Sequence, residues 1–262
     1  MNDNSAVPTA PSAGGMTLPR VRRIGFGAPL DWLRRGWKDL WCQPAASLFY
    51  GLAIAVTGAV ILGVTARFPY LFAAAITGFL LVAPMLAAGL YELSRRYLAG
   101  EPASLVDSML AWRRNPSALV GFALLSILAG TAWQVVSVVI VALFYKGPAL
   151  TPMAMVIEVL INPQHYLLFF IYMCAGGCLA ALVFAVSVVS MPMLVDRRCD
   201  LLTALGTSVN AVAENPLPLA FWAFVLMLLT GLGFASLLLG MVVILPWLGH
   251  ASFHAYKDLV ES

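Results

Sequence analysis

The chain has 262 residues, of which 61% are hydrophobic and only 10% charged, with a formal net charge of +3. A soluble domain carries roughly 25% charged residues, so the composition excludes a water-soluble globule and makes lipid the expected solvent. Four cysteines are too few to staple a fold of this size, and they read as reduced, buried thiols.

Residues 1–19, rich in Ala, Pro, Ser and Gly, read as a disordered tail. No short apolar core with a cleavage site occurs in the first 44 residues, so no secretory signal is expected. From Leu30 to Trp41, Leu30, Leu33, Trp37 and Leu40 form an apolar face opposite Asp31, Arg34, Arg35 and Lys38, the pattern of a helix lying in the membrane interface. Six spans follow, near 45–66, 70–91, 117–144, 164–189, 216–232 and 235–256, each about long enough for the roughly 30 Å of hydrocarbon.

Along span 1, Gly51, Ala55, Ala59 and Gly63 recur every fourth residue, and span 4 repeats the device with Gly177, Ala181 and Ala185; small residues at this spacing admit close helix approach. Pro84 predicts a kink near the end of span 2. Ser104-x-x-Asp107 predicts a capped second amphipathic helix with Leu105, Met109 and Trp112 on one face. A stretch from Met153 to Ile161 suggests a short helix on the outer surface. Asp200 to Glu214 forms a third amphipathic segment with Leu202, Leu205, Val209 and Val212 opposite Thr203, Thr207, Asn210 and Glu214. The last two spans are joined by a tight turn near Gly231 to Ser236.

Cytoplasmic junctions at Gln43-Pro44, Asn115-Pro116 and Asn215-Pro216 each read as a helix start, with Asn as the N-cap and Pro as the first helical residue. Asn162-Pro163 repeats the signal on the outer side. Of the 15 Lys and Arg residues, all but Arg67 and Lys146 fall on one side of the membrane in this topology. The positive-inside rule therefore places both termini in the cytoplasm. The chain then reads as three units of amphipathic helix, Pro-initiated span and returning span. That succession is either a threefold internal repeat or what any polytopic chain with cytoplasmic linkers shows.

His250 and His254, four residues apart on one helical face, are the candidate metal ligands; His165, the remaining histidine, lies at the outer side. No other ionisable residue falls inside a span, which argues against a proton relay, and Gln134 is the main other polar group at depth. No hydrolase, nucleotide-binding or zinc-protease motif occurs, so no enzyme and no bound cofactor are expected. The basic clusters are explained by topology and anionic headgroups and do not imply nucleic acid.

The residues Trp32-Leu33-x-x-Gly36-Trp37-x-Asp39, Ser47-Leu48-x-Tyr50-Gly51, Ala88-Gly89-Leu90-Tyr91-Glu92-x-Ser94-Arg95-Arg96 and Gly249-His250-Ala251-Ser252-x-His254-Ala255-Tyr256-x-Asp258 resemble an uncharacterised family of bacterial integral membrane proteins. Some members of that family carry the label of a cytochrome c oxidase subunit. The resemblance implies an inner-membrane location and a bacterial source, and supplies no catalytic site. Three histidines are too few to ligate two haems and a copper.

The expectation is an all-α polytopic helix bundle of six transmembrane helices and three amphipathic cytoplasmic helices in the bacterial inner membrane. Its partners would be membrane lipids and other membrane proteins docking on the small-residue faces. The leading function is a non-enzymatic accessory, assembly or scaffold component. The rivals are a small-solute permease and a haem- or metal-binding respiratory subunit.

Overall fold

The computed structural model describes residues 18–68, 86–147, 158–159 and 161–261. The described residues form helices: α1 Ala28–Cys42, α2 Pro44–Arg67, α3 over 86–98, α4 Leu105–Met109, α5 Pro116–Phe144, α6 Tyr166–Ser187, α7 Ser190–Asp196, α8 Leu201–Glu214, α9 Pro216–Ala235 and α10 Met241–Leu259. A single antiparallel bridge, Val21 to Val260, clasps the two ends of the described chain. Most of span 2, with Pro84, and most of the outer-surface segment fall outside the described residues.

Four helical stretches are long and apolar enough to cross a membrane: Pro44–Arg67, Pro116–Phe144, Pro163–Asp196 and Pro216–Ala235. The helix predicted as span 6 is different in kind. It starts at Met241, after a turn through Leu237 and Leu238 at positive φ and a Ser236 hydroxyl that accepts from Gly240 N–H. The break thus begins at Ser236, the end of the expected Gly231 to Ser236 stretch, and runs on to Gly240. With His250, His254, Lys257 and Asp258 in its second half, α10 is shielded by α1, α2, α7 and α9.

Close approach to α10 is achieved by glycine. A Cβ on Gly36 would lie 2.5 Å from the Ala251 nitrogen, and one on Gly51 would lie 2.0 Å from the Val242 carbonyl oxygen. The span 1 stripe is used only in its first half: Gly51 and Ala55 are buried, whereas Ala59 and Gly63 are exposed. In span 4 the predicted Gly177 and Ala181 are open, and the neighbouring Gly176 takes the contact, against Trp133.

The three junctions at Gln43, Asn115 and Asn215 have one backbone geometry. Gln43, Asn115 and Asn215 sit at φ/ψ of −141/66, −149/66 and −132/52, while Asn162 on the other side differs at −86/114. Proline keeps its predecessor out of the α region, and each predecessor's carbonyl accepts the first bond of the helix, from Ser47, Leu119 and Leu219.

Side-chain capping, predicted for the asparagines, is absent at Asn115 and Asn215; only Asn162 caps, through Gln164 N–H. Asn115 instead donates to the Cys199 carbonyl ahead of α8. Asn215 accepts from Ile24 N–H and donates to the Arg22 carbonyl ahead of α1. Gln43 shares a surface recess with Ala103, just ahead of α4. Each junction therefore meets the segment that leads into the next amphipathic helix, and the third meets the first. An aromatic residue six positions after each proline is buried: Tyr50, Phe122 and Trp222.

The rows that the amphipathic segments turn inward are not the apolar faces read from the sequence. In α1 the buried row is Trp32, Gly36, Asp39 and Leu40, with Leu30 and Trp37 exposed. In α8 the buried row is Ala204, Thr207, Ser208 and Ala211, while Leu202 and Val209 face outward. The 104–114 segment breaks into α4 and a 3₁₀ turn, Ala111–Arg114, with Met109 and Trp112 exposed. Its Ser104 cap on Asp107 N–H is as predicted. In a lipid setting large apolar side chains need not turn inward, and close helix contacts select small ones. The same logic moves the thiols: Cys42, Cys174 and Cys178 are free but exposed, not buried.

Gly51→Ala should lower the unfolding temperature of the detergent-purified chain, an overpacking loss of about 1–3 kcal/mol. Gly63→Ala, whose Cβ meets nothing within 4 Å, should leave it unchanged. Equal effects of the two in a thermal melt would contradict the close α2–α10 crossing.

Candidate functional site

Three elements, α1, α2 and α3, bring short polar side chains to the two imidazoles of α10. His250 Nε2 lies 2.9 Å from Ser47 Oγ on α2, and His250 Nδ1 lies 2.7 Å from Ser94 Oγ on α3. Ser94 donates to Asp39 Oδ2 on α1 at 2.7 Å, and His254 Nε2 reaches the same oxygen at 2.9 Å. All five residues are buried, Ser47 completely.

Donor counting orders the protons. A hydroxyl has one hydrogen, and that of Ser94 goes to Asp39. His250 Nδ1–H must then donate to Ser94 Oγ, and in the neutral imidazole Nε2 is left as acceptor for the Ser47 hydroxyl. His254 Nε2–H donates to the Asp39 carboxylate. The chain runs Ser47 to His250 to Ser94 to Asp39, with His254 closing on the same oxygen. Every polar hydrogen in it has an acceptor.

A serine hydroxyl donating to an imidazole that is itself oriented through a carboxylate is the arrangement of an activated nucleophile. Ser47 is 0% exposed, and its hydroxyl is one link in a packed seam of ordered hydrogen bonds. As candidate metal ligands, His250 and His254 share one helix face, yet three of their ring nitrogens already hold Ser47, Ser94 and Asp39. Metal ligation there would have to break those bonds. Among the described residues no group of three or more His, Cys, Asp or Glu is arranged to hold a metal ion. His165 stands apart, its ring on Tyr145 and its Nε2 3.7 Å from Glu158.

Ion clusters frame this seam. Glu92, almost fully buried, is held by Arg95 and Arg96 at 2.8 Å each, with Arg114 at 3.8 Å. Burial pushes the Glu92 carboxyl up, but the hydrogen bonds and charges of these arginines outweigh it and hold it below the usual carboxylate range. Arg96 also reaches Asp107 and the Pro102 carbonyl, and so fixes the approach to α4. Asp258 accepts from Trp32 Nε1 at 2.8 Å and pairs with Arg35. Asp196 accepts from Tyr256 and Lys257.

Sequence reasoning singled out the two histidines but assigned no role to Asp39, Ser47 or Ser94, although all three stand within the motifs quoted for the family resemblance. Gln134, the predicted polar group at depth, places its buried Nε2 where no partner reaches it.

The fold and this site define a helical integral membrane protein with several apolar helices. Residues 71–196, just under half of the chain, match a family described as "Predicted integral membrane protein (DUF2189)". The match supports similarity to an uncharacterised membrane family; it includes Glu92, Ser94, Arg95 and Arg96 and excludes Asp39, Ser47, His250 and His254. No curated protein and no solved structure matches the chain.

Two outcomes are expected. Asp39→Ala leaves the Ser94 hydroxyl and the His254 N–H without an acceptor and should cost about 3–5 kcal/mol. Ser47→Ala removes a terminal donor and should cost about 1–2 kcal/mol; equal losses in chemical unfolding would refute the chain as drawn.

The Glu92 pKa is lower in the folded state than its ordinary 4.5. Its contribution is therefore complete above that value and is lost as pH falls through the folded pKa. Acid melts below about pH 4.5 should weaken the wild type more steeply than Glu92→Gln.

Proposed function

We propose that the chain is a non-enzymatic membrane scaffold or accessory component that presents its lipid-facing helices to partner spans. The observation that carries the reading is the division of polarity. The buried proton-ordered chain and all the ion pairs among described residues except Glu158–His165 gather at the junction layer. The other halves of α2 and α5 expose Val60, Leu62, Val138 and Leu143 beside the unfilled Ala59 and Gly63. A surface that is apolar and also offers close approach suits another helix.

The reading includes six spans, with α10 and its polar half docked against the cytoplasmic layer, both termini in the cytoplasm, and a bacterial inner membrane as the site. It also takes the three units as an internal duplication. The shared φ/ψ of Gln43, Asn115 and Asn215 and the buried aromatics six residues after each proline support that view. A small-solute permease is the second reading, favoured by one observation: the unpartnered Gln134 amide inside a span.

The test is extraction from native membranes into a lipid-preserving polymer, followed by native mass spectrometry. The scaffold reading expects a complex of fixed stoichiometry with another membrane protein, lost in Ala59→Leu/Gly63→Leu. A chain that emerges with lipid alone, and that supports a saturable solute flux in proteoliposomes abolished by Gln134→Leu, would replace it with the permease.

A further inference from the structure

On the outer flank of α1, bordered by the end of α10, a recess of about 450 Å³ is lined by Ala28, Asp31, Arg34, Arg35, Lys38 and Asp258. We propose that this recess binds the phosphodiester headgroup of an anionic lipid. The inference rests on the membrane placement of α1 and does not require the scaffold role.

Its charges are arranged for a monoanion. Arg35 is anchored by Asp258, which Trp32 Nε1 also holds, so one guanidinium is fixed and one carboxylate neutralised. Arg34 and Lys38, one helical turn apart, are exposed and form no ion pair or side-chain hydrogen bond among the described residues. Three cationic and two anionic side chains leave one net positive charge, the complement of a phosphodiester. Arg34 offers a planar fork for two phosphate oxygens and Lys38 a mobile point charge.

The lipid source follows from what adjoins the charges. Leu30, Trp37 and Trp41 are exposed on the same side of α1, directly beside Arg34 and Lys38. An apolar and aromatic row next to a basic one is the pattern of a helix seated at the boundary between headgroups and acyl chains. Connectivity fixes the depth: α1 ends at Cys42, and the first membrane-crossing helix begins at Pro44. The recess therefore opens where headgroup phosphates lie. A soluble phosphate ester would use the cations and leave the tryptophans unused.

Native mass spectrometry of the full chain in detergent provides the test, with phosphatidylglycerol, phosphatidylcholine and the deacylated headgroup glycerophosphoglycerol as probes. Phosphatidylglycerol should bind one-to-one about tenfold more tightly than phosphatidylcholine. That preference should vanish in Arg34→Gln/Lys38→Gln, whose unfolding temperature should match the wild type. In the wild-type chain the preference should also weaken with added salt, a measurement independent of any variant. Equal binding of the two lipids, an unchanged preference in the variant, salt-insensitive binding, or deacylated headgroup binding as tightly as the lipid would each overturn the proposal. Loss of the partner complex would leave these lipid outcomes unaffected, so the two readings fail separately.

Discussion

The Asp39 carboxylate is the constraint on which the packing of the chain depends. A buried carboxylate is tolerated only when it is hydrogen-bonded, and its donors come from α3, through Ser94, and α10, through His254. Through Ser94 the demand passes to His250 and so to Ser47 on α2. Four helices that are scattered through the sequence are tied by side chains one or two bonds long. Such short reach requires backbones to come close, which is the physical reason for the glycines. Gly36 lies against Ala251 and Gly51 against Val242, while Gly89 accommodates the Tyr50 hydroxyl and Gly249 the Leu90 side chain. The Tyr50 hydroxyl in turn contacts Ser108, which brings α4 to the same seam.

Outside that seam the junction layer is held by backbone carbonyls and amides that have no partner within helices. Asn115 and Asn215 give up the capping role their residue type favours and satisfy the carbonyls of Cys199 and Arg22 instead. The exchange is consistent, because Pro at the following position already removes one orphan N–H from each helix start. The freed amide can then stitch two connecting segments together, and the Val21–Val260 bridge, with Arg22 N–H donating to the Leu259 carbonyl, completes the closure.

The sequence made the lipid-facing helices and their starts legible because length, hydropathy and proline are local signals. Pro44, Pro116 and Pro216 each open a helix where expected. The inward faces were not legible, and α1 shows why. Leu30 and Trp37, read as part of the membrane-interface face, are exposed, whereas the protein buries Gly36 and Asp39, which carry no hydrophobic signal. In water that choice would be costly; beside a membrane the large side chains have an apolar medium of their own, and the interior goes to residues that fit and can be satisfied. Asp39 could be found from sequence only by asking which polar residues recur beside His250 and His254 within the same family motifs, since no spacing along the chain links residue 39 to residue 254. The same applies to α8, where Thr207 and Ser208 are fully buried and Ser208 bridges Val189 N–H and the Ala185 carbonyl.

A polar seam raises the question of what an apolar one would lack. Between helices already in lipid, apolar surfaces gain little by meeting each other, so apolar contact alone sets register weakly. The chain of Ser47, His250, Ser94, Asp39 and His254 sets it sharply, because each bond joins one particular atom to another. Sliding α10 by one turn, about 5.4 Å, would carry both imidazoles past their partners, leaving three donors unpaired and the buried Asp39 carboxylate with Ser94 as its one remaining donor, a penalty of several kcal/mol. A slip would also drive the Val242 carbonyl and the Ala251 backbone off the only glycines that admit them, Gly51 and Gly36. Hydrogen bonding and steric fit, both supplied by α1 and α2, thus select the same register, which places Trp32 and Asp258 together and holds α1 and its basic face at the end of the first membrane-crossing helix.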